Sequence, residues 1–148
     1  MKTTLLAFLA AGLLFAADEA PNEKVKKEID ALQGTWRGVS AQDEGKALDE
    51  DTAKKMEIII KGDKYTFKVA GEEQEQGSIK LDPAAKPKTI DLKITSGMDK
   101  GKSQAGVYEL EKDTLKICLP PPGKDRPKAL EGKGANSLYV FKRPKEIG

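Results

Sequence analysis

The stretch MEIIIKGDKYTFKV, residues 56–69, decides the class of fold. Met56, Ile58 and Ile60 alternate with Glu57 and Lys61, and Tyr65, Phe67 and Val69 alternate with Lys64, Thr66 and Lys68. A period of two is the side-chain repeat of a strand, and the Gly62-Asp63 pair between the runs supplies a tight turn. Two strands joined in this way make an antiparallel hairpin with one greasy face and one wet face.

The same alternation continues outward. Residues 35–41 form a strand carrying Trp36 on one face and Arg37 on the other. Further on, Ile79 and Leu81, then Ile90, Leu92 and Ile94, then Leu115, Ile117 and Leu119 each mark an apolar strand face. Gly106, Tyr108 and Leu110 share a face, although Val107 blurs that strand. Residues 137–143 form the last strand, with Leu138 and Val140 on one side and Tyr139 and Phe141 on the other. Residues 47–55 lack alternation and read as a short helix or turn. The acidic run at Glu72, Glu73 and Glu75 lies between Gly71 and Gly77 and reads as an exposed turn. Pro120, Pro121 and Pro122 stop a strand and open an irregular loop, residues 120–136. Only one segment has helical spacing: Val25, Ile29 and Leu32, between Asn22 as N-cap and Gly34 as stop.

Eight short strands with turns between them, and no alternation of strand with long helix, point to an all-β domain. The expected architecture is a small eight-stranded antiparallel up-and-down barrel with the short N-terminal helix across one opening. Closure removes exposed strand edges.

The full chain has 148 residues, 26 Lys and Arg against 24 Asp and Glu, no His and one Cys. The balanced charge gives no reason to expect nucleic acid as a partner. Without His and with a single Cys, the common zinc, haem-attachment and iron–sulfur ligand sets are excluded, as is Ser-His-Asp or Cys-His catalysis. No metal and no cofactor are expected. Cys118 has no partner for an internal disulfide and reads as a small buried hydrophobe in a strand.

Residues 1–17 read as a secretory signal peptide: Lys2, an uncharged apolar run at residues 5–15, then Ala16 and Ala17 before Asp18. The run is too short to span a bilayer, so no stable membrane anchor is expected. The expected organisation is therefore a signal peptide at 1–17, a flexible leader at 18–23 and the barrel at 24–145, with a periplasmic or extracellular address.

The helix followed by Gly34-Thr35-Trp36 resembles the Gly-x-Trp opening of lipocalins and their calycin relatives. In those families a cation near the end of the last strand packs on the Trp face, and Arg143, or Lys142, stands at that position. The resemblance implies that Gly34, Trp36 and Arg143 close the barrel. A wider resemblance is to an uncharacterised domain family common in planctomycete bacteria. It rests on Leu32-Gln33-Gly34-Thr35-Trp36, Ile60-Lys61-Gly62-Asp63-Lys64-Tyr65-Thr66-Phe67 and Pro87-Lys88-Thr89-Ile90-Asp91-Leu92. Later blocks are Gly106-Val107-Tyr108-Glu109-Leu110, Asp113-Thr114-Leu115-Lys116-Ile117-Cys118 and Arg126-Pro127. It implies a lipocalin-like barrel and carries no activity with it.

Two functions remain open at this point. The barrel binds a small hydrophobic ligand, with Tyr65, Phe67 and Tyr108 in the wall. Alternatively, large inward residues fill it, and the domain is structural or binds a protein through loop 120–136. The strand pattern fixes which face is inward and not the void volume, for which a lined cavity of about 300 Å³ or more is the mark of a ligand site. Catalysis is not expected, because the acidic run at residues 72–75 has the ordinary reading of a solvated turn.

Overall fold

A computed structural model describes residues 23–144. The expected signal peptide and nearly all of the expected leader lie outside the described residues. Helix α1 (Glu23–Leu32) leads into strand β1 (Gly34–Asp43), a two-residue strand β2 (Lys46–Ala47) and a single helical turn α2 (Glu50–Lys54). The meander β3 (Met56–Lys61), β4 (Lys64–Val69), β5 (Glu72–Asp82), β6 (Lys88–Gly97), β7 (Ser103–Glu111) and β8 (Thr114–Leu119) follows, and β9 (Ser137–Lys142) completes it. Each of these strands pairs antiparallel with the next, and β1 pairs with both β3 and β9. The sheet thus closes into an eight-stranded antiparallel up-and-down barrel, with β2 as an appendage to β1.

The β3–β4 hairpin has the bounds that the alternation predicts, with Gly62 at φ +62° in its turn. Strand β5 differs. The run Glu72, Glu73, Glu75 lies inside this strand, and the turn is Ala70 and Gly71, both at positive φ. Glutamate has low strand propensity, but register with β4 overrides it: Val69 pairs with Glu72, Lys68 with Glu73 and Phe67 with Glu75. Glu75 consequently faces inward, on the same side as Gly77, Ile79 and Leu81.

The core runs from Leu32 and Trp36 through Ile58, Ile60, Ile79, Leu81, Ile90, Leu92, Leu115 and Ile117 to Phe141. A second apolar layer lies outside the barrel. Val107 on β7 pairs with Cys118 on β8 on the outward face, yet their exposures are 1% and 0%. Residues 120–136 cover them. The thiol of Cys118 donates to the carbonyl of Glu131 (3.3 Å), Gln104 donates to the carbonyl of Pro120 (2.9 Å), and Arg126 donates to the carbonyl of Gly106 (2.8 Å). Arg126 also pairs with Asp91 at 2.8 Å. A loop lying on the outer face of β7 explains why Val107 breaks the alternation of its strand.

Candidate functional site

One end of the barrel is sealed. Gly34 adopts φ +109°, a left-handed conformation that costs glycine little and turns the chain from α1 into β1. The turn drives Trp36 into the barrel, where it is fully buried and its indole N–H donates to the carbonyl of Leu32 at 2.9 Å. The guanidinium of Arg143 lies 4.2 Å from the centre of that ring and donates to the carbonyls of Ala31 and Gln33 at the last turn of α1. A cation there satisfies terminal carbonyls and complements the negative end of the helix.

Two further polar ties hold this end. The Gln33 side chain brackets Gly62, accepting from its N–H at 2.7 Å and donating to its carbonyl at 2.9 Å. Glu28 on α1 receives Lys88 at 2.7 Å and the Tyr108 hydroxyl at 3.0 Å.

The other end is hollow. A cavity of about 220 Å³ opens there. Ile58, Leu92, Ile117 and Leu119 form its aliphatic wall, and Tyr65, Phe67, Tyr139 and Phe141 contribute rings. Its polar wall is Glu75, Asp99 and Gln104. The rings of Tyr139 and Phe141 are stacked, with centroids 6.2 Å apart, because residues two apart on β9 share the inward face.

Tyr65 and Glu75 are placed by a glycine. Tyr65 sits directly across from Gly77 on β5, and a Cβ on Gly77 would lie 2.7 Å from the tyrosine ring. The missing side chain lets the ring lie over the β5 backbone, and its hydroxyl reaches Glu75 at 2.7 Å. Burial is the main cause that raises the Glu75 pKa; the Tyr65 hydrogen bond opposes it, and the negative charge of Asp99 adds to it. Asp99 stands in the turn between β6 and β7 and is paired at 3.4 Å with Lys102, an exposed lysine. Desolvation also raises the Tyr65 and Tyr139 phenols, which stay neutral.

Of the three expected wall residues, the structure brings together Tyr65 and Phe67. Tyr108 lies elsewhere: it packs at the sealed end under Lys88 and bonds to Glu28. The parity of β7 put it on the inward face correctly, but parity does not tell which end of the barrel a residue occupies. Glu75 escaped sequence reasoning because its segment reads as a turn. The signal that finds it is the two-residue spacing Glu75, Gly77, Ile79, Leu81, which continues the inward face of the strand.

A larger hollow of about 710 Å³ lies on the outer surface among Lys80, Asp91, Lys93 and Lys124. It is walled by parts of β5 to β7 together with Asp63, Gly123 and Lys124 and lies open to solvent, so the interior cavity is the candidate site. Cys118 is buried in the outer layer, and burial is the first cause that raises its pKa, which disfavours the reactive thiolate. Among the described residues, no helix is long and apolar enough to cross a membrane.

The class defined by these features is a closed antiparallel barrel with one plugged end and one hollow end. Comparison of the chain with family models, curated proteins and solved structures gives no match.

Proposed function

We propose that this protein is an exported, non-enzymatic, lipocalin-like barrel that binds one small ligand with an apolar body. A single observation supports the reading: the 220 Å³ cavity with aliphatic and aromatic walls at the end of the barrel away from the Trp36 plug. The volume falls short of the mark of about 300 Å³ for a ligand site, so the proposed ligand is confined to molecules below drug size. At interior packing density it suits a molecule of on the order of ten non-hydrogen atoms. Residues 120–136 are engaged in covering β7 and β8, which favours the hollow end over the loop as the binding surface.

Titration of the purified protein with phenethyl alcohol, followed by chemical shifts of the cavity residues, tests the reading. Saturable binding with shifts at Phe67 and Tyr139 is expected, and Phe67→Trp, which fills the space, abolishes it. No saturable shift with any small aromatic probe overturns the reading. Export is tested separately by the mass of the protein recovered outside the cytoplasm. A chain beginning near Asp18 supports it, and one retaining Met1 overturns it.

A further inference from the structure

We propose that the cavity selects small amines, holding an ammonium head at Glu75 and an aromatic or aliphatic body between the rings. This rests on the ligand-binding reading above and adds the chemical class of the ligand.

The cavity defines the site, and the character of its wall selects the occupant. Both charged side chains in that wall, Glu75 and Asp99, are carboxylates. Glu75 enters from β5 beside the rings and Asp99 from the turn at the mouth. Tyr65 engages Oε2 of Glu75. A carboxylate has two oxygens and accepts several hydrogen bonds, so a second donor can be received at the other oxygen.

Three ligand charges then have different fates. A neutral ligand that fills the cavity removes water from the Glu75 carboxylate and returns no charge to it, a desolvation cost. An anion adds repulsion from both Glu75 and Asp99. An ammonium group forms a charge-assisted hydrogen bond with Glu75 while the cavity also holds the rings of Phe67, Tyr139 and Phe141, a type of group whose face attracts cations. Lys102 offsets part of the Asp99 charge, but its side chain is 61% exposed and its pairing is screened by water. A hard metal ion fits poorly, because it requires six or more oxygen ligands and most of this wall is hydrocarbon.

The site also has a built-in acid release. The groups facing Glu75 are the Tyr65 hydroxyl, Asp99 from the β6–β7 turn and Tyr139 from β9. Burial and Asp99 raise the Glu75 pKa, so the carboxylate takes up its proton earlier on acidification than an exposed glutamate and stops attracting the ammonium.

The test uses three probes of one shape, phenethylamine, phenethyl alcohol and phenylacetate, titrated calorimetrically at neutral pH. The amine binds about tenfold or more tighter than the alcohol, the factor expected for one hydrogen bond to a charged group. Phenylacetate binds weakest. Glu75→Gln keeps an acceptor for Tyr65 and removes the preference for the amine. In the unsubstituted protein, amine affinity falls as pH is lowered toward 4.5, while alcohol affinity holds or rises because the protonated carboxyl no longer has a charge to desolvate. Equal or tighter binding of the alcohol, or an amine affinity that does not change with pH, overturns this inference and leaves the proposed ligand-binding function standing. Absence of binding by all three probes overturns both.

Discussion

The two ends of the barrel are built from the same strands and do opposite things. At the helix end Trp36, Leu81, Ile90, Tyr108 and Leu115 are large and buried, and the polar atoms there meet partners on α1. At the other end β5 presents inward Gly77, whose bare backbone is covered by the Tyr65 ring, and Glu75, a carboxylate where the rest of the strand carries Ile79 and Leu81. The contrast teaches that a hollow in so small a barrel depends on where one strand places a carboxylate and on how a ring crosses its glycine. The glycine lets the Tyr65 ring cross β5 toward Glu75, and the cavity lies beyond them, between that pair and the other rings.

Substitutions at the two ends should therefore separate stability from binding. The largest effect is expected at the plug. Trp36→Ala removes a fully buried indole, leaves the Leu32 carbonyl without its donor and should cost about 3–5 kcal/mol. Chemical denaturation reads this, and an unchanged midpoint would break the description of a sealed end. Gly77→Ala drives a methyl group into the Lys93 backbone carbonyl and against the Tyr65 ring, and should cost about 1–3 kcal/mol or more, an overpacking penalty. It should also weaken ligand binding, because Tyr65 and Glu75 move together; a loss of stability with intact binding would show that the glycine does not place the tyrosine.

Arg143→Lys keeps the charge but loses the planar fork that reaches two carbonyls while lying on the indole. A loss of about 1–2 kcal/mol is expected from the weaker hydrogen bonding and ring contact. Equal stability of the two proteins would reduce Arg143 to a surface charge.

The smallest effect concerns Glu75 and acid. Its folded-state pKa is raised, so between the ordinary value of 4.5 and the raised value the folded protein holds a proton that the unfolded chain has released. Stability from this group is therefore present at low pH and is lost as pH rises through that window. Glu75→Gln should remove that slope and be neutral or slightly stabilising at neutral pH. Urea midpoints of both proteins across pH measure it, and a larger loss of stability in the variant at neutral pH would assign Glu75 a structural role.

Much of this architecture is legible in the residues. Met56 to Val69 alternate at every position but Ile59 and are divided by a glycine turn, so both strands of the hairpin and their register follow from period and turn together. The closing seam between β1 and β9 follows from the count of strands together with the advantage of having no edge. The polar half of β5 does not, since Glu72, Glu73, Gln74 and Gln76 offer no apolar face and only pairing with β4 and β6 makes them a strand. The outer layer is half legible. Val107 departs from its pattern because a distant loop covers it, and nothing local announces which loop. The cavity was out of reach: void volume depends on how Tyr65 crosses Gly77, a contact between residues whose identities alone do not fix their packing.

The seam that joins the first strand to the last has a consequence for how the chain is made. Arg143 reaches the carbonyl of Gln33 across 110 positions of sequence, and β1 zips onto β9 over much of its length. Contacts of such long range form late and slowly, since most of the chain's freedom must be surrendered before they are gained. A growing polypeptide therefore has no finished barrel while β9 is still missing, and the ring shuts only after that strand has arrived.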